Sequence, residues 1–475
     1  MLFNTLEFWL FLVPVLAAYA VLARRGQNRM LLAASYFFYG CWDWRFLGLI
    51  LLSTAIDWIA GLRIREAQTA RGARLWVTAS AVSNLTILGF FKYFDFFVDT
   101  ASGLLTRLGL PALTTHLDIV LPVGISFYTF QSMSYAIDVY RGEVEPTRDP
   151  LDFALFVAFF PQLVAGPIVR ARDLLPQIQA DRHPTWDGVM SGFNLAMWGL
   201  FKKVVIADNL AQIANPIFAR QLGYQPGVLH LGALAFAFQI YCDFSGYTDI
   251  ARGTARMMGF QLMDNFRHPY FASCITDFWR RWHISLSTWL RDYLYIALGG
   301  NRSGRWRTYR NLMLTMLLGG LWHGAAWNFV VWGGYQGLLL IAERALGGHR
   351  LIAEPADQRG PLRRAFWLLR VLLTFHFVCL GWLYFRAEAV GPLWNMTRRF
   401  IDPRGWLWMP HELALQALVW IVPLVAFEAL QLAKRDEQAM LSWPAPVRGL
   451  VYLSAAYVFI LFGRFESNAF IYFQF

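Results

Sequence analysis

The sequence predicts an all-α, polytopic membrane protein, and three observations support this fold class. Hydrophobic residues make up 57% of the 475 residues and charged residues only 15%, whereas a soluble domain is about 25% charged. Mean hydropathy is +0.39. Apolar stretches near the length of about 20 residues that crosses a bilayer recur along the chain. These long unbroken runs argue against a β-barrel, whose strands alternate, and the 17% of aromatic residues excludes a disordered chain.

The apolar stretches define candidate membrane spans in chain order. The first, 6–23, follows no positively charged segment and is succeeded by Arg24 and Arg25. It is therefore predicted to be a retained span rather than a cleaved signal peptide. The later candidates are 30–42, 45–62, 75–98, 120–139, 152–169, 187–206, 228–244, 276–298, 310–341, 366–385, 413–431 and 447–463.

Several of these candidates are irregular. The stretch 152–169 contains Pro161 and the pair Gly166-Pro167, and 310–341 is too long for one straight span and contains two glycine pairs. Non-helical backbone at membrane depth is tolerated only where protein buries it or it lines a cavity. We therefore expect re-entrant or broken helices around a cavity, within a single integral membrane unit that covers residues 1–475.

The basic loops predict the orientation of the chain. Arginine is frequent in 24–29 and 63–74 and scarce in 43–45 and 99–118, which predicts an N-terminus outside the cytoplasm. The basic loops 301–310 and 344–364 fit the cytoplasmic side, whereas other basic segments fit less cleanly and leave the number of crossings open. The net charge of +11 is attributed to the arginines in these loops. A nucleic-acid partner is disfavoured, because the sequence has no long run of basic residues.

The motif inventory excludes several kinds of chemistry. The four cysteines form no CxxC pair and are interpreted as small apolar core residues, and no His/Cys set has the spacing of metal ligands, so no metal is predicted. The sequence has no P-loop and no GxGxxG. It also lacks a GxSxG elbow, which argues against a self-contained serine hydrolase.

His323 is the sharpest candidate for catalysis. It lies inside an apolar run beside Trp322 and is flanked by Gly320 and Gly324, and glycine allows a ligand or another backbone to come close. A buried neutral imidazole is a ready proton acceptor near neutral pH. The alternative is a histidine that only hydrogen-bonds a neighbouring helix.

A second cluster, Thr276 to Ser285, contains His283. This histidine follows Arg280, Arg281 and two tryptophans. If its helix packs beside that of His323, the two imidazoles share one site. The alternative is an interfacial belt of tryptophan and arginine at the lipid headgroups.

Other polar groups at membrane depth are candidates to line a tunnel. Asp243 and Asp249 surround Ser245-Gly246, which predicts either a kink with capped helix ends or a cavity wall. Asp277 and Asp292 are spaced to form ion pairs with nearby arginines. The tunnel or substrate-binding candidates are Trp322, Trp279, Asp243 and Asn328.

Seven motifs carry a close resemblance to a known family over Leu121 to Gln336. They are Leu121 to Tyr128, Ala165-Gly166-Pro167, Asp243 to Tyr247, Phe278 to Ser287, Leu290 to Tyr295, Leu298 to Arg302 and Trp322-His323-Gly324. On these motifs the chain resembles the membrane-bound O-acyltransferase (MBOAT) superfamily, in its bacterial alginate O-acetyltransferase branch.

The resemblance implies a multi-helix membrane barrel around a central tunnel in the bacterial inner membrane. In that membrane, the N-terminus that the basic loops predict to lie outside the cytoplasm is periplasmic. It implies that His323 is the catalytic residue and that His283 lies nearby. It also implies that an acetyl group passes outward from a cytoplasmic donor to an exported polysaccharide through periplasmic SGNH-type acetyltransferase partners. No bound cofactor is expected; acetyl-CoA or another acetyl thioester is the expected donor.

Residues and resemblance together predict a mechanism. His323 acts as general base on an acceptor hydroxyl, and His283 either hydrogen-bonds the thioester carbonyl or orients the acceptor. Four arginines of the basic loop are expected to steer the donor's phosphates; they are Arg302, Arg305, Arg307 and Arg310. The alternative hypotheses are a transporter, although no internal repeat is visible, and a scaffold subunit of a polysaccharide-secretion complex.

Overall fold

The protein is described by a computed structural model covering residues 1–113, 117, 119–164, 166–219, 225–348, 352, 360–436, 442–465 and 470–471. Helices dominate these ranges and no strand occurs within them. The predicted all-α fold class is therefore confirmed. Ala165, which belongs to one of the family motifs, and much of the predicted basic loop 344–364 lie outside the described residues.

Seven helical segments among the described residues are long and apolar enough to cross a membrane, so the chain is a multi-pass membrane protein. They are Arg24–Glu66, Ala70–Arg107, Trp186–Ala219, Pro226–Met257, Pro361–Arg386, His411–Lys434 and Ala445–Phe462. The first candidate span of the sequence, 6–23, forms the shorter apolar helix Leu6–Val21. Candidates 120–139, 152–169, 276–298 and 310–341 are not among the seven.

The described chain divides into two compact units, of which the first comprises Met1–Met197 and Thr248–Met263. Two long helices contribute residues to both units. The helices that begin in the first unit are α1 (Leu6–Val21), α2 (Arg24–Asp43), α3 (Leu47–Glu66), α4 (Ala70–Leu88), α5 (Phe94–Arg107), α6 (Ile125–Arg141), α7 (Pro150–Ala158), α8 (Phe160–Leu163), α9 (Ala171–Gln179) and α10 (Trp186–Phe201).

A buried polar network joins α3, α4 and α6 in the first unit. The carboxylate of Asp57 accepts hydrogen bonds from Ser80 Oγ at 2.5 Å and from Asn84 Nδ2 at 2.9 Å. Ser53 Oγ donates to Asn84 Oδ1 at 2.9 Å and lies 3.2 Å from Ser132 Oγ. Polar side chains of this kind hold helices together where no water is present.

The second unit comprises Trp198–Tyr247 and Asp264–Phe475. Its helices are α11 (Asp208–Ala219), α12 (Pro226–Met257), α13 (Ile275–Arg281), α14 (Ile284–Trp289), α15 (Arg305–His323), α16 (Trp327–Ala345), α17 (Pro361–Arg386), α18 (Leu393–Phe400), α19 (His411–Lys434) and α20 (Ala445–Phe462).

The candidate span 276–298 is wrong as a single helix. The backbone of His283 is left-handed, with φ 43° and ψ 54°, and this conformation separates α13 from α14. A π-helical turn, Leu290–Tyr295, follows. Left-handed backbone does not continue a right-handed helix, so the segment is a chain of short pieces, as expected for broken helices.

The stretch 310–341 lies in a helical hairpin formed by α15 and α16. The turn is at Gly324–Ala326 and not at either glycine pair. Gly320 and Gly333 instead face each other: a Cβ on Gly333 would lie 3.2 Å from Gly320 Cα, and one on Gly320 would lie 3.1 Å from Gly333 Cα. These glycines therefore permit a close approach of two backbones.

We expect Gly333→Ala to destabilise the protein by about 1–3 kcal/mol, because the added methyl group would meet the backbone of α15, which cannot give way as a flexible side chain can. The matched control is Gly334→Ala, whose methyl group would lie 3.5 Å from Leu317 Cδ2, an ordinary contact. The thermal midpoint in detergent measures the difference. Equal midpoints for the two variants would contradict the backbone-contact argument.

Candidate active site

His323 is the last residue of α15 and is only 4% exposed. The helix ends there because Gly324 adopts extended backbone. The ring centroid of His323 lies 5.0 Å from that of Trp332, 5.1 Å from Trp322 and 5.5 Å from Phe385. The imidazole is thus held in an aromatic enclosure at a helix terminus.

His283 occupies a strained and fully buried position. Left-handed backbone costs a residue other than glycine on the order of 1–3 kcal/mol, and such strain persists where the surroundings impose it, frequently at functional sites. The ring of His283 packs edge-on against Phe244, with centroids 4.7 Å apart. The strained turn therefore positions this imidazole in the interior of the second unit.

The structure brings the two histidines together. Their ring centroids are 6.3 Å apart. A direct hydrogen bond between the rings is excluded, because a ring nitrogen lies little more than one ångström from its centroid. A substrate atom that lies between the rings can contact both. The catalytic roles assigned to the two histidines stay predictions.

Asn265 holds the His283 turn in place. Its backbone oxygen accepts from Ile284 N at 2.9 Å. Its side-chain oxygen, Oδ1, accepts from Ser285 N at 3.1 Å and from Ser285 Oγ at 2.9 Å, and lies 3.2 Å from His283 Nδ1. His283 lies outside the seven spanning segments, and burial lowers its pKa to about 3. The ring is therefore neutral at physiological pH.

The structure places three of the four tunnel candidates near the histidines. Trp322 adjoins both: its ring centroid lies 5.9 Å from that of His283. Trp279 is half-buried, with its ring 5.9 Å from that of Trp332, a member of the enclosure. Asn328 is buried, and its Nδ2 donates to Phe385 O at 3.3 Å. Asn328 therefore holds another residue of the enclosure in position.

The fourth candidate, Asp243, belongs to a buried ion-pair cluster. Lys203 Nζ lies 2.7 Å from Asp243 Oδ1 and 2.9 Å from Asp208 Oδ1, and all three side chains are at most 4% exposed. The second carboxylate oxygen of Asp243 accepts from Ile471 N at 2.8 Å. These bonds favour a structural role for Asp243 in the second unit, whereas its predicted place in the tunnel stays a prediction.

Of the two interpretations of Ser245-Gly246, the kink with capped helix ends is wrong. The helix α12 runs through both residues without interruption. A Cβ on Gly246 would lie 2.7 Å from Gly199 O and 3.2 Å from Lys203 N, and Ser245 Oγ accepts from Lys202 Nζ at 2.9 Å. The small residues therefore admit a neighbouring helix.

The predicted ion pairs in the broken segment are confirmed. Arg281 Nε lies 2.8 Å from Asp277 Oδ1 in a buried pair, and Arg291 Nε lies 2.6 Å from Asp292 Oδ1. The buried pair stabilises α13 beside the His283 turn.

The four predicted steering arginines are exposed and lie at or near the start of α15. At a rise of 1.5 Å per residue, the first residue of α15, Arg305, lies about 27 Å from His323 at the other end of the helix. The preceding loop is held by Asn311, which donates to Gly300 O at 2.9 Å and accepts from Arg310. The arginine cluster therefore lies far from the histidines and does not contact them. It is a candidate only for the place where the donor enters.

Sequence reasoning missed several residues of this site. Trp332 and Phe385 belong to apolar helices, and their sequence neighbours give no signal of a special role. Asn265 lies 18 residues before His283, in an irregular segment. The sequence shows only an asparagine ahead of a motif that contains His and Ser, and this pattern does not reveal a contact.

Two neighbouring buried imidazoles in an aromatic enclosure make this part of a multi-pass membrane protein a candidate active site. Residues 146–384 match the family described as "MBOAT, membrane-bound O-acyltransferase family". The chain belongs to this family and is an O-acyltransferase.

Relatives with assigned names support this membership. The Azotobacter vinelandii protein "Probable alginate O-acetylase AlgI" is 49% identical over 84% of this chain and 77% of its own length. The Helicobacter pylori "Peptidoglycan O-acetyltransferase" is 37% identical over 85% of this chain and 80% of its own. The Bacillus subtilis "Teichoic acid D-alanyltransferase" is 28% identical over 56% and 69%, respectively.

If Asp243 is structural, Asp243→Asn should lower stability by about 3–5 kcal/mol, the usual effect of removing one partner from a buried ion pair. The control is Asp264→Asn, which disrupts a pair whose partner, Arg267, is 63% exposed and should change stability by no more than about 0.5 kcal/mol. Thermal unfolding in detergent gives the comparison. Equal thermal midpoints combined with lost acyl transfer in Asp243→Asn would indicate a substrate contact instead.

Proposed function

We propose that this protein takes an acetyl group from cytoplasmic acetyl-CoA and passes it across the bacterial inner membrane for O-acetylation of an exported polysaccharide, alginate or a similar polymer. The observation that carries the proposal is the adjacency of two buried imidazoles in a family of O-acyltransferases. The relative named as an alginate O-acetylase supports the class of polymer.

The proposed chemistry uses His323 as general base. The acceptor hydroxyl oxygen attacks the thioester carbonyl carbon while His323 takes the hydroxyl proton. The carbon–sulfur bond then breaks, the acetyl group stays on oxygen as an ester, and the imidazolium returns the proton to the departing thiolate. General-base catalysis of this kind contributes about 100- to 10,000-fold in rate. Nothing is oxidised or reduced, so the proposed step needs no redox cofactor.

The aromatic enclosure supports this role for His323. Rings on several sides exclude water, and a site without water strengthens each polar interaction with the developing charge. It also limits the loss of the acetyl group to hydrolysis. His283, on the opposite side of the proposed substrate position, contributes a second polar contact.

The proposed direction of transfer rests on charge. The exposed arginines at the start of α15 attract the phosphates of the donor, and in the proposed orientation they face the cytoplasm with the N-terminus in the periplasm. The acetyl group then leaves on the opposite side, where SGNH-type acetyltransferase partners transfer it to the polymer. The hydroxyl acylated by this chain belongs either to such a partner or to the sugar.

The first test is His323→Ala, expressed at the wild-type level. Without the base, the acetyl content of the polymer should fall by at least about 100-fold, while polymer export persists. His411→Ala is the control, because this histidine is exposed at the start of α19. Acetyl content and secreted polymer are measured in the same culture.

Each contrary outcome selects an alternative. Normal acetylation in His323→Ala would remove the catalytic role. Lost export with retained acetylation would favour a transporter or a scaffold subunit of the secretion complex.

The second test reverses the charge of the proposed entrance. Arg305→Glu combined with Arg307→Glu should raise the acetyl-CoA concentration that gives half-maximal transfer in inside-out membrane vesicles, and this effect should shrink at high salt. The control is Arg398→Glu with Arg399→Glu, an exposed pair on α18. An unchanged dose response for the first pair would reject steering.

A further inference from the structure

The orientation of the Asn265 side-chain amide is determined by its surroundings. Asn265 is fully buried, and Ser285 N, a backbone group that can only donate, lies 3.1 Å from its side-chain oxygen. The opposite orientation would place the amide Nδ2, also a donor, against that N–H. The atom that faces the His283 turn is therefore the oxygen.

This orientation determines which nitrogen of His283 carries the proton. His283 Nδ1 lies 3.2 Å from Asn265 Oδ1, an atom that only accepts. A lone pair on Nδ1 would face a lone pair on oxygen, whereas a proton on Nδ1 makes a hydrogen bond. Ser285 Oγ, which lies 3.4 Å from Nδ1, is consistent with this arrangement, because its own hydrogen is directed at Asn265 Oδ1 at 2.9 Å.

The other ring nitrogen consequently has no proton. A neutral imidazole carries one N–H, so Nε2 of His283 presents a lone pair and acts as a hydrogen-bond acceptor. An acceptor cannot donate to the carbonyl oxygen of a thioester. It can hold a hydroxyl or an amide N–H of the molecule that receives the acyl group.

We propose that Asn265 is a positioning residue that keeps His283 protonated on Nδ1, so that Nε2 accepts a hydrogen bond from the hydroxyl-bearing substrate. Two roles were open to His283: to orient the molecule that receives the acyl group, or to donate a hydrogen bond to the thioester carbonyl. An unprotonated Nε2 selects the first. The position of the substrate between the two imidazoles rests on the proposed function. The tautomer of His283 does not, because it can be measured without any activity.

The test measures the tautomer directly. In purified full-length protein labelled with ¹⁵N-histidine, the two ring nitrogens of His283 have distinct chemical shifts, and the protonated nitrogen is identified by its coupling to hydrogen. The signals are assigned by their loss in His283→Gln. We expect the proton on Nδ1 in the wild type and in Ser285→Ala, which retains Asn265. In Asn265→Leu we expect the Nδ1 proton to be lost in favour of Nε2.

The same variants are assayed for acyl transfer. Asn265→Leu should lower turnover by about 10- to 100-fold, the range typical of removing a residue that orients a metal-binding histidine. Asn265→Asp should keep the proton on Nδ1, because it retains an oxygen that accepts at the same place. A role limited to packing would leave the tautomer unchanged.

The outcomes separate this inference from the proposed function. A proton on Nε2 of His283 in the wild type would overturn the inference even if Asn265→Leu does not fold. An unchanged tautomer in folded Asn265→Leu would also overturn it. Failure of the proposed function appears instead as unaffected acetylation in His323→Ala, with the tautomer of His283 as expected.

Discussion

Buried polar groups must find their hydrogen-bond partners within the protein, because a bilayer interior offers no water to bond them. This structure depends on that constraint. In the first unit, Asp57 is held by Ser80 and Asn84 from the next helix. In the second, Lys203 lies between Asp208 and Asp243. Each network joins different helices: α3 with α4 in the first unit, and α11 with α12 in the second. The charges are therefore tolerable only after the helices have packed, and they help to specify which helices pack together.

The histidine site depends on two departures from regular helix. His323 lies where α15 ends, and His283 lies where left-handed backbone separates α13 from α14. In a continuous helix, the direction of each side chain is set by its position along the helix. Where the backbone is interrupted, the side chain can take another direction, and here the two rings lie side by side. The first backbone N–H groups of α14 have no partner within their own helix. Those of Ile284 and Ser285 donate instead to the backbone and side-chain oxygens of Asn265. Irregular backbone is thus compatible with the fold here, because protein surrounds it and supplies the hydrogen bonds.

Sequence reasoning succeeded for features that depend on residues close together in the chain, and it failed for features that depend on contacts between distant segments. Long apolar helices such as Pro361–Arg386 were predictable, because hydrophobicity and length are local properties. The ion pairs at Asp277 and Asp292 were predictable for the same reason. The kink considered at Ser245-Gly246 does not occur. Small residues mark both a kink and a close helix contact, and only the neighbouring helix distinguishes these cases. The roles of Asn265 and Trp332 depend on contacts across the fold and have no local signature.

By itself, the sequence determined the membrane class, the positions of the long helices, the family motifs and the two histidines as candidates. These features follow from composition and from short patterns that any part of the chain carries on its own. Only the tertiary structure decided that the two imidazoles are neighbours, that Asp243 serves an ion-pair cluster and that Asn265 faces His283 with its oxygen. Such facts depend on the direction of side chains from segments far apart in the chain, and packing alone fixes those directions.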